Sequence, residues 1–184
     1  MLIMLDRDGV LNEVREGSYV TRPEEFHWIP GAREALRDLA QAGMRAALVT
    51  NQAAIGKSLA TRAQIDALHA WMLAGIPEAD LKLESIYICP HVEGDRCTCR
   101  KPQPGLLFSA LRDHAVAASD STLIGDTWRD AQAAAAAKVP FLLVRTGRGH
   151  SQESKIRAMG VACAGVFDDL YGAVQALVTR GGEL

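Results

Sequence analysis

The sequence predicts an α/β fold, a parallel sheet with helices on both faces. Two observations lead there: short aliphatic runs of strand length recur along the chain, and the stretches between them carry apolar residues at helical spacing. Such alternation is the pattern of parallel strands joined by right-handed helical crossovers. The run Leu2–Leu5 reads as the first buried strand. Residues 32–42 place Ala35, Leu36 and Leu39 on one helical face and stop at Gly43. A second strand is expected over 45–50. Residues 61–73 open on a threonine cap and line up Ile65, Leu68 and Met72. After a strand at 85–89, residues 105–116 set Leu107, Leu111 and His114 on one face. Strands at 122–125 and 141–145 flank an alanine-rich helix at 130–138 that ends before Pro140. A weak strand at 161–166 and a helix at 169–178 close the chain. At least five strands result, with no repeat, low-complexity run or linker, so one domain spanning 1–184 is expected.

Composition narrows the function. With 48% hydrophobic and 23% charged residues, the chain is not disordered. A net charge of -2 supplies no broad positive field, which argues against nucleic acid or an anionic membrane as partner. The apolar opening reaches a charge at Asp6, far short of a span of roughly 20 residues, so a cytoplasmic protein is expected. His69 and His114 fall in helices and read as surface or helix-face residues, Cys163 as ordinary core, and the basic stretch 145–148 as a solvated loop.

Ligands of open parallel sheets bind beyond the carboxyl ends of the strands. Those positions hold Asp6-Arg7-Asp8-Gly9, Thr50-Asn51-Gln52, Cys89-Pro90-His91 and Gly125-Asp126-Thr127. A pair of aspartates alone is an ordinary solvated turn, but two carboxylates one residue apart plus a third from another strand suit magnesium, which takes oxygen ligands. Attack of a carboxylate on a phosphate is opposed by like-charge repulsion of several kcal/mol at roughly 3 to 4 Å; a divalent cation and a lysine remove that barrier. Asp6 is then the nucleophile, and Asp8 protonates the leaving alcohol and later deprotonates water. Asp126 anchors the cation, while Thr50 and Lys101 bind the phosphoryl oxygens.

This ordered set, completed by Asp130, resembles the motifs of the haloacid-dehalogenase (HAD) superfamily of phosphatases over residues 1 to about 150. The resemblance implies a Rossmann-like sheet, an aspartyl-phosphate intermediate, and magnesium held by the carboxylates of Asp6 and Asp126 and the backbone carbonyl of Asp8. It also implies that Asp130 supports the site from behind; a helix N-terminal charge favoured by the dipole is the other reading.

Cys89, His91, Cys97 and Cys99 offer three thiolates and an imidazole, the complement of a tetrahedral structural zinc, with no vertex left for a reacting water. Two disulfides or free thiols are the alternatives. The loop runs into Arg100-Lys101-Pro102, so the metal would fix these cations toward the phosphate site. A zinc loop followed by this motif resembles the D-glycero-D-manno-heptose-1,7-bisphosphate 7-phosphatases of nucleotide-heptose and lipopolysaccharide precursor synthesis, and their histidinol-phosphate phosphatase relatives. By that resemblance Arg100, Asn51 and Gln52 contact substrate, and Gly17, Ser18 and Tyr19 touch the sugar. The five residues between His91 and Cys97 match the histidinol-phosphate branch in length, and Thr127 stands where the family often has lysine. Stretches 8–30 and 53–83 are too short for a large cap, so a monomeric enzyme with an open, loop-covered site is expected, acting on a small phosphorylated sugar. The rival of another class is a noncatalytic zinc module that binds protein, which would have no need of Asp6 beside Lys101.

Overall fold

The computed structural model describes residues 1–76 and 83–181; residues 77–82, at the end of the stretch expected to carry no cap, lie outside the described residues. Its elements are β1 (Leu2–Leu5), α1 (Ala32–Gln41), β2 (Arg45–Asn51), α2 (Ala53–Gly56), α3 (Arg62–Ala74), β3 (Leu83–Cys89) and α4 (Gly105–Asp113). There follow β4 (Ser121–Gly125), α5 (Trp128–Ala137), β5 (Phe141–Val144), α6 (Gly149–Ala158), β6 (Gly165–Phe167) and α7 (Leu170–Thr179). The strands form one sheet of order β3-β2-β1-β4-β5-β6 in which every pairing is parallel. The order reverses beside β1, where a crevice opens between the chains leaving β1 and β4.

Strand β1 is buried on both faces, and its alternation divides the core. Ile3 and Leu5 pack with Leu36 and Leu39 of α1, Leu68 of α3, and Val174 and Leu177 of α7. Leu2 and Met4 face Leu107 of α4, Ala134 of α5 and Ile156 of α6. Local chemistry sets the helix starts. Thr61 accepts from Gln64 N at 3.2 Å, and Gln64 Oε1 accepts from Thr61 N at 2.7 Å, a reciprocal cap of the kind that contributes about 1 kcal/mol. Asp169 accepts from Gly172 N at 2.8 Å and starts α7.

Four elements differ from expectation, the short helix α2 among them, since no helix is expected between residues 51 and 61. Helix α4 ends at Asp113 because Ala115 turns left-handed, at φ 51°, so its buried stripe is Leu106, Leu107 and Ala110, and His114 caps the end with its ring against Ser85 and Tyr87 of β3. Helix α6 was not foreseen: Ile156 is its one large buried side chain, too little to mark an apolar stripe. The weak strand is confined to Gly165–Phe167.

Candidate active site

Asp6 emerges from β1 and Asp126 from β4, so parallel pairing of these strands brings the two carboxylates to one edge. Beside Asp6 lies the ammonium of Lys101, buried at the end of the cysteine-rich loop. Its Nζ is 3.1 Å from Asp6 Oδ1 and 2.6 Å from Asp130 Oδ1, and it donates to Val49 O at 2.7 Å. Burial opposes that positive charge, but the Asp130 and Asp6 carboxylates override it and raise the lysine's pKa. Burial pushes Asp6 up to about 6, with Lys101 pulling down and Asp130 and Asp8 pushing up. Asp126 is raised well above the carboxylate range by burial and by the charges of Asp130 and Asp6.

Oxygen atoms of Asp6, Asp126 and Asp130 lie within 4.8 Å of one another. Three buried carboxylates against a single ammonium leave two uncompensated negative charges, the complement of a divalent cation. Asp126 Oδ2 accepts from Arg148 N at 2.8 Å, whereas its buried Oδ1 has no hydrogen-bond partner. Asp130 is committed elsewhere: besides Lys101 it holds the Thr127 amide at 3.0 Å and the Thr127 hydroxyl. Asp130 thus caps α5 and pairs with Lys101, and Thr127 in place of lysine serves the cap. The residues present fit magnesium. Gly9 and Gly147, both at positive φ, close around this carboxylate, and a Cβ on either would collide with Asp126.

Asp8 has a different surrounding. Its Oδ1 accepts from Arg7 Nη2 and Asn12 Nδ2, each at 2.9 Å; its Oδ2 accepts from Arg7 Nη2 at 3.0 Å and Gln52 Nε2 at 3.1 Å. Burial alone would raise its pKa, but the Arg7 guanidinium and these hydrogen bonds hold it below the ordinary value. Arg7 is fully buried, and His69, expected on a helix surface, is buried against it with Nε2 3.1 Å from Arg7 Nη1. The i, i+4 position of His69 relative to Ile65 on α3 turns it inward with the apolar stripe.

The cleft above these groups has a volume of about 380 Å³, and Gly17, Ser18, Tyr19, Asn51, Arg100 and Lys101 line it with Asp6, Asp8, Asp126 and Asp130. Thr50 and Gln52 are buried beside this wall, and Gln52 Nε2 donates to Thr50 Oγ1 at 2.9 Å and to Asp8 Oδ2, so Gln52 braces both residues. Asn51 spends its amide on the Lys101 peptide unit, donating to its carbonyl at 2.9 Å and accepting from its N–H at 3.0 Å. Arg15, Lys57, Arg129 and Arg148 also line the cleft. The stretch 145–148 is thus no plain solvated loop, since Arg148 reaches the site, while Arg145 pairs with Glu153 and Asp168. No spacing in the sequence marks these four cations; the loops and helix ends that carry them converge only in the folded chain.

Cys89 at the end of β3 meets His91, Cys97 and Cys99. The sulfurs are 3.2 to 3.8 Å apart, and His91 Nδ1 is 3.5 Å from Cys89 Sγ and 3.3 Å from Cys99 Sγ. All four cysteines of the chain are free, and these separations are far beyond the roughly 2.05 Å of a disulfide. Ligands about 2.3 Å from a tetrahedral zinc would stand close to the observed spacing, so the donor set fits zinc. Burial raises the Cys89 thiol, which favours ligation only with a cation present.

The HAD-hydrolase-like family profile matches residues 98–173. The chain is 37% identical over 179 residues to the D-glycero-beta-D-manno-heptose-1,7-bisphosphate 7-phosphatase of Bordetella bronchiseptica, covering 96% of this chain and 97% of that one. The Escherichia coli K12 protein of the same name is 40% identical over 161 residues, 83% of each chain. Among solved structures, the B. bronchiseptica D,D-heptose 1,7-bisphosphate phosphatase, complexed with magnesium and phosphate, superposes with a TM-score of 0.91 at 33% identity, over 97% of this chain and 98% of that one.

Proposed function

Because this chain belongs to the D-glycero-beta-D-manno-heptose-1,7-bisphosphate 7-phosphatase family of HAD-like hydrolases, we propose that it removes the 7-phosphate of D-glycero-D-manno-heptose 1,7-bisphosphate. It is a phosphatase, and we take residues 1–184 to work as one monomeric HAD-like unit in the cytoplasm. The observation that carries the reading is the Asp6 carboxylate, paired at 3.1 Å with a buried lysine and facing a cleft whose walls are rich in arginine and lysine.

In this reading a carboxylate oxygen of Asp6 bonds to phosphorus as the bond from phosphorus to the sugar oxygen breaks. The proton on Asp8 passes to that oxygen, and Asp8 then takes a proton from the water that cleaves the aspartyl phosphate. Lys101 and the Thr50 hydroxyl bind the phosphoryl oxygens. The carboxylates of Asp6 and Asp126 and the backbone carbonyl of Asp8 would hold magnesium, which supplies positive charge between nucleophile and phosphate. Cys89, His91, Cys97 and Cys99 would hold zinc, which supplies rigidity to the loop carrying Arg100 and Lys101.

Loop length favours a second reading, histidinol phosphate as substrate, and a protein-binding zinc module is the third. Turnover of heptose 1,7-bisphosphate and histidinol phosphate measured side by side separates them. We expect kcat/KM to favour the heptose by at least about tenfold, a difference of about 1.4 kcal/mol. Preference for histidinol phosphate refutes the substrate assignment, and activity on neither refutes the enzyme.

A further inference from the structure

Arg7 and His69 are the buried polar pair that the chemistry above does not use. Arg7 sits between the two reacting aspartates in sequence, yet its guanidinium points away from the cleft and is fully buried. One of its terminal nitrogens, Nη2, donates to both oxygens of Asp8 and to Val20 O at 2.9 Å. The other, Nη1, faces His69 Nε2 at 3.1 Å. A guanidinium has only donors, so His69 accepts through Nε2 and carries its proton on Nδ1, which has no partner among the described residues. Thus α3 presents a neutral acceptor that fixes the plane of the fork, and the fork fixes two things at once. One is the Asp8 carboxylate; the other is the end of loop 17–20 that lines the cleft.

We propose that His69 is a positioning residue for proton transfer: through Arg7 it holds the Asp8 carboxylate and loop 17–20 as one unit. The inference rests on Asp8 being the acid/base. It deepens that reading by giving a role to a helix residue that touches neither substrate nor either metal-ligand set. Breaking the bond from phosphorus to an alkyl oxygen needs a proton delivered from Asp8, whereas nitrophenolate leaves without one. Misplacing Asp8 therefore slows the first case and spares the second.

The test is a leaving-group series under single-turnover conditions with the full chain, magnesium and zinc present: p-nitrophenyl, phenyl and β-glycerol phosphates beside heptose 1,7-bisphosphate. His69→Leu keeps bulk and removes the acceptor, His69→Gln restores an acceptor, and Arg7→Lys keeps charge and loses the fork. Displacement of about 1 Å costs on the order of a hundredfold, so His69→Leu should slow alkyl phosphate cleavage at least about tenfold and change nitrophenolate release by less than about twofold. His69→Gln should recover most of the alkyl rate. Should His69→Leu fail to fold, Arg7→Lys is read against the same series and should show the same selective loss. Equal loss on all leaving groups, or none, overturns the inference. The series tests His69 and the heptose arm tests the substrate, so selective loss in a chain that ignores the heptose refutes the substrate assignment alone.

Discussion

Replacing His69 with glutamine should change how stability depends on pH, by an amount set by its burial. Burial lowers the imidazole's pKa from 6.5 to about 4, reinforced by Arg7 and, more weakly, Arg62, and opposed by Asp8 and Asp66. Between those values the unfolded chain binds a proton at position 69 that the folded chain does not. Stability from this group is therefore complete above the ordinary pKa and is lost as pH falls toward the depressed one. From about pH 7.5 to about pH 5 the loss is about 2 kcal/mol, at about 1.4 kcal/mol per unit. A carboxylate with a raised pKa acts in the opposite sense: Asp6, raised to about 6, contributes stability at low pH that is lost as pH rises through that value. Both proteins share that contribution, so the difference between their curves isolates His69. Urea unfolding of wild type and His69→Gln at the two pH values, at equal magnesium and zinc, supplies the measurement. Wild type should lose about 2 kcal/mol more than the variant on acidification. A difference that stays flat across this window would refute the buried, neutral imidazole.

Asp6→Asn keeps the shape of the side chain but removes the nucleophile, so kcat should fall by at least about a thousandfold. Because burial disfavours the ionised carboxylate, its unfolding midpoint without added magnesium should be no lower than that of wild type at about pH 8; near-normal turnover refutes the covalent route. Cys99→Ser removes a zinc ligand and loosens the segment that delivers Lys101. Elemental analysis should fall from about one zinc per chain, and kcat should drop about tenfold or more with KM changed less; zinc-free protein of full activity would remove zinc's structural role.

The strands and the ordering of the aspartates were legible because they are local. Leu2–Leu5 is a continuous apolar run, Asp6 and Asp126 each follow a strand directly, and Thr50 lies near the end of one. Helix α3 was readable from Thr61 and its apolar stripe, but the same stripe hid His69, because a histidine at an inward position is marked by its partner and not by its spacing. That partner, Arg7, lies 62 residues away. Asn51 and Gln52 are expected at the substrate from their place after a strand, and Asn51 does line the cleft, but their bonds to the Lys101 backbone and to Asp8 could not be read from that place. Helix α6 offered only Ile156 as an apolar anchor. What escaped the sequence was thus the layer of side chains that hold other side chains, whose pairings span tens of residues.

That hidden layer also sets the division of labour between two carboxylates of one motif. Burial, with Asp130 and Asp8 adding to it and Lys101 opposing, pushes Asp6 up, while Asp8, facing Arg7, Asn12 and Gln52, is held down. Carboxylates driven apart in this way take different chemical roles. At rest the order is the reverse of what the first step needs, since the nucleophile must be ionised and the acid protonated. Two arrivals correct it. A divalent cation held by Asp6, Asp126 and the Asp8 carbonyl would favour the charged form of Asp6, and a phosphate dianion beside Asp8 would raise that group's pKa by like-charge repulsion. In the proposed mechanism the same Arg7 contacts would keep Asp8 in the carboxylate form that the second step starts from, at the cost of weakening it as a base. The substrate's own charge would then be what favours the protonated form for the first step.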